Sequence, residues 1–213
     1  MAIKALFLDA ANTLVHKPAL YPSMAEVLKR HGVQVDLDVL LRQHRFLSEA
    51  KSFPDRTSRE FYDEFNSELL RSLGVLPKRE LLDELFGACS YLPWRPFDDV
   101  ADLTVLDVPL GVLSNWNTQL SDTLALIPDL QFSWVLGSEQ IGLRKPAPAF
   151  FERMLDAAAL EASEIAYIGD SMRLDVEPAL SMGIRAALID RDNLYPHANV
   201  PRITSLSQVV TLL

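Results

Sequence analysis

Residues 3–14 read Ile3-Lys4-Ala5-Leu6-Phe7-Leu8-Asp9-Ala10-Ala11-Asn12-Thr13-Leu14. The run up to Leu8 is nearly all apolar, which is typical of a strand that is buried on both faces of a parallel sheet. Asp9 follows directly, so its carboxylate stands at the strand end and can act as a nucleophile. Ala11, two residues later, occupies a position where a second acid could assist that nucleophile. The stretch therefore predicts a strand-borne nucleophile without an acid–base partner beside it.

Four further apolar runs have the same character as the first. They occupy residues 110–113, 134–136, 165–168 and 186–189. Helical patterns separate the later runs: Pro148 opens one helix, and another begins near Leu174 and ends at Gly183. Alternation of strands and helices predicts an α/β fold with a doubly wound, parallel, Rossmann-like sheet.

Residues 18–91 interrupt this alternation with helical patterns alone. Apolar Met24, Val27 and Leu28 recur at helical spacing, and a capping-box pattern runs from Thr57 to Glu60. A segment of this length is too long for an ordinary connection between two elements. We therefore expect an inserted α-helical cap domain over residues 18–91 and a catalytic core formed by residues 1–17 and 92–213.

The composition is that of a globular protein and excludes several classes of partner. The 213 residues are 49% hydrophobic and 23% charged, and their formal net charge is -9. With no basic cluster in the chain, we expect neither a nucleic acid nor a membrane as partner. No apolar run approaches the roughly 18 residues of a membrane span, and Cys89 has no second cysteine to pair with. We expect a cytoplasmic protein, as a monomer or a homodimer.

Polar residues follow the predicted strands where an open α/β sheet places its functional sites. They are Asp9, Ser114, Asn115, Lys145, Asp170 and Asp175. Taken singly, each could equally be a turn residue, a helix cap, a solvated cation or an acid at a helix start. Together they offer a carboxylate nucleophile, a cation, hydroxyl and amide donors, and carboxylates for a metal ion. Such a set predicts the transfer of a charged group such as a phosphoryl group.

The order and placement of these residues resemble the haloacid dehalogenase superfamily. That family carries hhhhDxDGT at its first strand, then a serine or threonine after a strand, then a lysine, then GDxxxxD, where h is apolar and x is any residue. The corresponding segments here are Leu6-Phe7-Leu8-Asp9-Ala10-Ala11-Asn12-Thr13, Leu113-Ser114-Asn115, Gly142-Leu143-Arg144-Lys145-Pro146-Ala147-Pro148 and Gly169-Asp170-Ser171-Met172-Arg173-Leu174-Asp175. The match spans nearly the whole chain, and the helical insert resembles the cap of the C1 class, subclass IA. Within that subclass the chain is similar to poorly characterised phosphatases.

The resemblance implies a role in phosphate transfer for each residue that matches the family motifs. Asp9 would attack the phosphoryl group and form an aspartyl-phosphate. Ser114 and the backbone amide of Asn115 would hold the phosphoryl oxygens, and Lys145 would screen the charge between substrate and nucleophile. The implied substrate is a small phosphorylated metabolite.

The resemblance also implies Mg²⁺ as the cofactor. Asp9, Asp170 and the main-chain carbonyl of Ala11 would be its ligands in this sequence. The contact at Ala11 uses the main chain, so it survives loss of the acidic side chain. Asp175 would orient Lys145 or a metal-bound water from outside the set of ligands.

Two positions depart from the family motif. Asn12 replaces a glycine, which is a mild change because asparagine tolerates a left-handed backbone. Ala11 replaces the aspartate that protonates the leaving group and later activates water. General acid–base catalysis contributes about 10²- to 10⁴-fold, so hydrolysis of alkyl phosphates should be slowed on that order, and aryl or acyl phosphates least. His16 is the nearest side chain that could substitute, although we favour a surface histidine at the hinge of the cap.

Three other functions remain open. A protein that binds Mg²⁺ and phosphate without turnover would be a catalytically impaired binding or regulatory protein. L-2-haloacid dehalogenases have an uncharged residue at the position of Ala11, but Asp170 and Asp175 keep a metal pattern that dehalogenation does not need. Phosphonoacetaldehyde hydrolase is similar in having Asp-x-Ala and uses a cap lysine as a Schiff base, for which Lys17 and Lys51 are available.

Overall fold

The computed structural model of the protein describes residues 2–212. They form two compact units. The first contains the chain up to His16 and from Pro96 onward, and the second spans Lys17–Arg95. The boundaries expected from the sequence, after residues 17 and 91, lie close to this division. That the second unit acts as a cap stays a prediction.

Short strands and helices alternate along most of the first unit, and helices alone build most of the second. The strands are β1 (Ala5–Leu8), β2 (Val15–His16), β3 (Arg95–Pro96), β4 (Leu110–Ser114), β5 (Phe132–Gly137), β6 (Ile165–Gly169), β7 (Arg185–Ile189) and β8 (Arg202–Ile203). The α-helices are α1 (Leu20–Arg30), α2 (Leu37–Ala50), α3 (Arg59–Ser72), α4 (Arg79–Cys89), α5 (Leu120–Leu124), α6 (Ser138–Ile141), α7 (Pro148–Ala158) and α8 (Glu177–Ser181). Segments of 3₁₀-helix cover Asp98–Val105, Ala162–Glu164 and Leu206–Leu212, and a π-helical turn covers Met172–Val176.

The first unit is built on a parallel sheet with the strand order β5-β4-β1-β6-β7-β8. β1 lies inside the sheet, where Leu6 is opposite Leu110 of β4 on one side and Ala166 of β6 on the other. The chain proceeds from β1 to β4 and β5 on one side, and then from β6 to β8 on the other. A reversal of this kind is a topological switch point, where open α/β sheets bind ligands. The predicted doubly wound α/β fold is confirmed.

Three short strands were not predicted from the sequence. β2 and β3 pair with each other in a second sheet, and β8 joins the edge of the main sheet beside β7. Each contains two residues. A strand of this length produces no apolar run and no alternation, so periodicity could not reveal it.

Large side chains of α7 and β1 are buried in the core of the first unit. Pro148 occupies the first turn of α7, as predicted, and the same helix buries Phe150, Phe151 and Met154. All four residues of β1 are also buried. The packing is close at Gly111 of β4, where an added Cβ would lie 2.3 Å from the ring of Phe7.

The helix expected from Leu174 to Gly183 has a different form. A π-helical turn precedes α8, and Gly183 then adopts a left-handed φ of 79°. The side chain of Ser171 accepts a hydrogen bond from the backbone N–H of Leu174 at 2.8 Å, and the Ser171 carbonyl accepts one from Val176 at 3.1 Å. This widened turn holds Asp175 in a buried position.

The second unit has its own apolar core, to which α1, α2, α3 and α4 all contribute. Its buried side chains are Met24, Val27, Leu28, Leu40, Leu69, Leu70, Leu81, Leu82 and Leu85. Helix α3 is capped by Ser58, whose side chain accepts a hydrogen bond from the Phe61 N–H at 3.2 Å. The predicted cap at Thr57 was therefore one residue too early.

The α-helices of the described chain are short. The longest, α2 and α3, contain 14 residues each. At 1.5 Å per residue such a helix is about 21 Å long. Within residues 2–212, no helix has both the length and the apolar character needed to cross a bilayer.

Gly111→Ala should lower the free energy of unfolding by about 1–3 kcal/mol, because the added methyl group would overlap the buried ring of Phe7. Gly87→Ala is the matched control, since Gly87 is exposed in α4 and its Cβ position is open. Alanine there should raise helix stability by up to about 1 kcal/mol. Urea unfolding followed by circular dichroism measures both changes. An unchanged midpoint for Gly111→Ala would contradict the packing of Phe7 against β4.

Candidate active site

The carboxyl ends of the central strands bring the predicted nucleophile together with its predicted partners. Asp9 follows β1, and Ser114, the last residue of β4, donates its hydroxyl hydrogen bond to Asp9 Oδ1 at 2.9 Å. Lys145 Nζ donates to the same oxygen at 2.6 Å and to Asp175 Oδ1 at 2.5 Å. These residues lie far apart in the chain, so only the parallel sheet places them in one cluster.

Lys145 is a buried cation between two carboxylates, with 2% of its side chain exposed. Burial by itself would lower the pKa of the ammonium group. The charges of Asp175 and Asp9 outweigh that effect and raise the pKa of Lys145 above its ordinary value. Lys145 therefore stays charged across the physiological pH range.

Asn115 holds the backbone of Lys145. Its side-chain amide donates to the Lys145 carbonyl at 2.9 Å, and its side-chain oxygen accepts from the Lys145 N–H at 2.8 Å. These two bonds fix the start of the lysine side chain and thereby aim its ammonium group at Asp9. The predicted contact between the Asn115 backbone amide and a phosphoryl oxygen stays a prediction.

Asp9 is buried beside Lys145 and near the carboxylates of Asp175 and Asp170. Burial raises the pKa of its carboxyl group to about 7, Lys145 acts in the opposite direction, and the charges of Asp175 and Asp170 add to the rise. A charged Asp9 is the nucleophilic form. A cationic ligand at this place would favour that form, because it would offset the neighbouring carboxylates.

Asp175 lies against the backbone of β6, where Gly169 leaves room for it. A Cβ at Gly169 would lie 2.2 Å from Asp175 Cγ, so no other residue fits without displacing the carboxylate. The Ser171 N–H donates to Asp175 Oδ2 at 3.1 Å. Asp175 is thus fixed on one oxygen by main chain and on the other by Lys145, which is the contact expected for a residue that orients Lys145.

Tyr167 belongs to this cluster, although the sequence did not single it out. Its hydroxyl accepts a hydrogen bond from Lys145 Nζ at 3.1 Å and lies 3.0 Å from both Asp175 Oδ1 and the Leu113 carbonyl. Burial raises the pKa of the phenol well above its ordinary value, so the hydroxyl stays protonated. The available signal was a tyrosine inside an otherwise apolar strand, since a buried phenol needs a polar partner.

The acidic residues of the site fit a hard divalent cation. Oxygens of Asp9, Asp170 and Asp175 lie within 4.8 Å of one another. Carboxylate oxygens are the donors that Mg²⁺ prefers, and Asp9 and Asp175 of this group also pair with the ammonium group of Lys145. Asp175 stands in this group beside Asp9 and Asp170, and its expected role outside the set of ligands stays a prediction.

The loop after β1 is held by its own main chain. Asn12 adopts a left-handed φ of 56°, as expected where asparagine replaces glycine. Its N–H donates to the Val15 carbonyl at 2.6 Å, and the N–H groups of Leu14 and Val15 both donate to the Ala10 carbonyl. The loop therefore keeps its shape without an acidic side chain at Ala11. Coordination of a metal by the Ala11 carbonyl stays a prediction.

The residues considered for other roles have distinct surroundings. His16 stacks on Phe97 with 4.0 Å between ring centroids, and burial lowers its pKa. Lys51 pairs with Glu64 at 2.5 Å. Lys17 Nζ lies 5.0 Å from the centroid of the Trp94 ring, and burial lowers the pKa of this amine. Of the two lysines, Lys17 has the environment better suited to an amine nucleophile.

Comparison with known proteins gives one consistent family. The model of the haloacid dehalogenase-like hydrolases matches residues 3–183. Haloacid dehalogenase-like hydrolase domain-containing protein 3 of Mus musculus is 26% identical over 100% of this chain and 96% of the relative. Its namesake in Danio rerio is 31% identical, over 57% of this chain and about half (54%) of the relative. Glyceraldehyde 3-phosphate phosphatase of Pyrococcus abyssi is 28% identical over 86% of this chain and 79% of the relative.

Solved structures share the fold at lower identity. The HAD-hydrolase YfnB from Bacillus subtilis, solved bound to magnesium, has a TM-score of 0.67 at 18% identity and covers 100% of this chain and 99% of its own. L-2-haloacid dehalogenase from Xanthobacter autotrophicus has a TM-score of 0.65 at 18% identity and covers 99% and 98%. Both a hydrolase that binds magnesium and a dehalogenase therefore share this architecture, so the fold alone does not select the reaction.

Asp9→Asn should stabilise the metal-free protein at pH 8 more than at pH 5. The carboxyl group has a folded pKa of about 7 against an ordinary 3.8, so the folded state binds the extra proton and stability falls as pH rises between these values. The difference in free energy of unfolding between Asp9→Asn and the wild type should increase by on the order of 2 kcal/mol from pH 5 to pH 8. Urea unfolding in EDTA at both pH values measures it.

Asp99→Asn serves as the control of opposite sign. Burial works to raise the pKa of Asp99, but hydrogen bonds from Arg191, the Leu206 N–H and Ser205 bring it below the ordinary value. Its charge therefore adds stability above pH 4, and asparagine should destabilise the protein at both pH 5 and pH 8. An Asp9→Asn effect independent of pH would contradict the raised pKa of Asp9.

Proposed function

Because this chain belongs to the haloacid dehalogenase-like hydrolase family, we propose that it is a Mg²⁺-dependent phosphatase of a small phosphorylated metabolite. The observation that carries the proposal is the cluster in which Asp9, Asp170 and Asp175 lie within 4.8 Å of one another beside Lys145. Relatives named as phosphatases, including one for glyceraldehyde 3-phosphate, support the reaction class. We also propose a cytoplasmic protein that acts as a monomer or homodimer, without nucleic acid or membrane partners.

The residues of the cluster divide the work of phosphate transfer among them. Asp9 attacks the phosphorus atom, forms an aspartyl-phosphate and releases the alcohol. Ser114 and Lys145, both hydrogen-bonded to Asp9 Oδ1, would donate to the phosphoryl oxygens of the bound substrate. Mg²⁺ held by Asp9, Asp170 and the Ala11 carbonyl, with Asp175 close by, would supply the charge that lets two anions approach. A water molecule then hydrolyses the aspartyl-phosphate.

The proton for the leaving group has no side-chain donor at position 11. The departing alkoxide must take its proton from water, which is slow for an alkyl alcohol because its pKa is high. A phenolate or a carboxylate leaves as a stable anion without that proton. We therefore propose that aryl or acyl phosphates are hydrolysed faster than alkyl phosphates.

The absence of an acid at Ala11 also favours a second candidate, a phosphate-binding or regulatory protein with little turnover. Such a protein would keep Asp9, Lys145 and Asp170 for binding and accumulate the aspartyl-phosphate. Haloacid dehalogenation and phosphonate hydrolysis rank lower. The carboxylate cluster is superfluous for the first, and a Schiff base for the second would fall to Lys17, since Lys51 is paired with Glu64.

Release of phosphate from 4-nitrophenyl phosphate and a panel of metabolites, with and without Mg²⁺, tests the proposal. Asp9→Asn and Asp170→Asn should each abolish the metal-dependent rate, because one removes the nucleophile and the other a metal ligand. Turnover that persists in Asp9→Asn would refute the mechanism. Phosphate binding without turnover in the wild type would favour the regulatory candidate, and halide release from 2-haloacids would favour dehalogenation.

Ala11→Asp should raise kcat on alkyl phosphates by about 10²-fold, since it restores a proton donor next to the nucleophile. The gain on 4-nitrophenyl phosphate should be smaller, because that leaving group needs little assistance and only the later activation of water would improve.

Ala11→Asn is the matched control, with a side chain of the same size that cannot transfer a proton. It should show no gain on either substrate. Equal rates for the Asp and Asn variants would contradict the role assigned to position 11, and would mean that the loop after β1 does not aim this side chain at the leaving group.

A further inference from the structure

An arginine outside the carboxylate cluster binds the loop that carries the nucleophile. Residues 9–15 are called the nucleophile loop here. Arg191, which follows β7 by two residues, donates from Nη2 to the carbonyl of Thr13 at 2.8 Å. The two residues are 178 positions apart in the chain. The contact reaches the loop two residues from Ala11 and four from Asp9.

Arg191 is itself fixed by a two-pronged ion pair. Its Nη1 lies 2.7 Å from Asp99 Oδ2, and its Nη2 lies 2.9 Å from Asp99 Oδ1. Asp99 also accepts from the Ser205 hydroxyl at 2.8 Å and from the Leu206 N–H at 2.9 Å. Side chains of both partners are largely buried, at 14% and 16% exposed. The guanidinium group is therefore held through both terminal nitrogens, and Nη2 donates to the Thr13 carbonyl as well as to Asp99.

Phe97 ties the same arginine to the end of the nucleophile loop. The guanidinium carbon of Arg191 lies 3.8 Å from the centroid of the Phe97 ring, on which His16 also stacks. The Phe97 N–H donates to the Leu14 carbonyl at 3.0 Å. Arg191 thus holds Thr13 directly, and Phe97, which contacts Arg191, holds Leu14.

We propose that Arg191, held by Asp99, is a positioning residue for the reaction: it fixes the nucleophile loop and thereby the placement of Asp9 and of the Ala11 carbonyl. A misplacement of about 1 Å at a reacting group can lower a rate by about 10²-fold. A forked guanidinium can hold a carboxylate and a carbonyl at once, which a lysine ammonium on a flexible stem does not reproduce. The effect on turnover rests on the proposed phosphatase function, while the effect on the loop does not.

A merely structural role for this ion pair would have a different outcome. Replacing both members of a buried ion pair by uncharged residues is often neutral for stability, whereas removing one member leaves an unpaired charge. Arg191→Met combined with Asp99→Asn removes both charges and leaves an acceptor for the Leu206 N–H. If the pair served only stability, this double variant would restore both stability and turnover.

The first measurement is amide hydrogen exchange of the nucleophile loop in Arg191→Lys. The N–H groups of Asn12, Leu14 and Val15, which close the loop, should exchange at least about tenfold faster than in the wild type. Arg202→Lys is the matched control, since Arg202 lies in the same unit and pairs with buried Asp190 at 2.8 Å. Its other hydrogen bond goes to Asn193, and within residues 2–212 neither contact reaches the nucleophile loop. Equal exchange of the loop amides in the two variants would overturn the proposal.

The second measurement is Mg²⁺-dependent turnover of 4-nitrophenyl phosphate. For Arg191→Lys and for the double variant, kcat should fall about tenfold or more with KM within about twofold, and Arg202→Lys should keep the wild-type kcat. Recovery of kcat in the double variant, or faster loop exchange without loss of kcat, would overturn the positioning role. If the wild type itself shows no turnover, the proposed function fails, and the exchange comparison alone decides whether Arg191 fixes the loop.

Discussion

The site depends on one buried cation, Lys145, which lies between the carboxylates of Asp9 and Asp175. Buried ion pairs contribute little to net stability, because desolvation offsets their attraction, yet removal of the cation that two carboxylates share would leave both unpaired and cost about 3–5 kcal/mol. The residues around Lys145 are therefore tightly constrained: Asn115 holds its backbone, and Tyr167 accepts from its ammonium group. We interpret this cluster as one retained for chemistry, with the parallel sheet supplying the rigid edge on which it is built.

Neighbouring carboxylates distinguish this site from an ordinary buried ion pair. Burial and the charges of Asp175 and Asp170 raise the pKa of Asp9 to about 7, against the opposite effect of Lys145. A divalent cation at this place would offset those carboxylates and favour the charged form of Asp9. The proposed phosphate transfer uses such a cation, whereas displacement of a halide needs none.

In the proposed reaction, placing the nucleophile and assisting the leaving group are separate tasks of the nucleophile loop. Asn12 keeps the left-handed backbone and the loop closes on the Ala10 carbonyl, although Ala11 has no acid to offer. Arg191 adds an external restraint at Thr13. A chain can therefore preserve the geometry needed for attack by Asp9 while hydrolysis of poor leaving groups becomes slow, which is the physical basis for the substrate preference proposed above.

The sequence by itself determined the α/β class and the polar residues that follow the strands. It could do so because strands covered on both faces read as apolar runs, and because parallel strands end at one edge, so Asp9 and Ser114 had to lie close together. Only the tertiary structure decided the roles of Tyr167, the Asn115 side chain and Arg191. Their contacts join residues separated by 22 to 178 positions, and no local periodicity or spacing encodes such pairs. The π-helical turn that buries Asp175 likewise follows from hydrogen bonds to Ser171 and from the space left by Gly169, which the helical pattern of its sequence does not reveal.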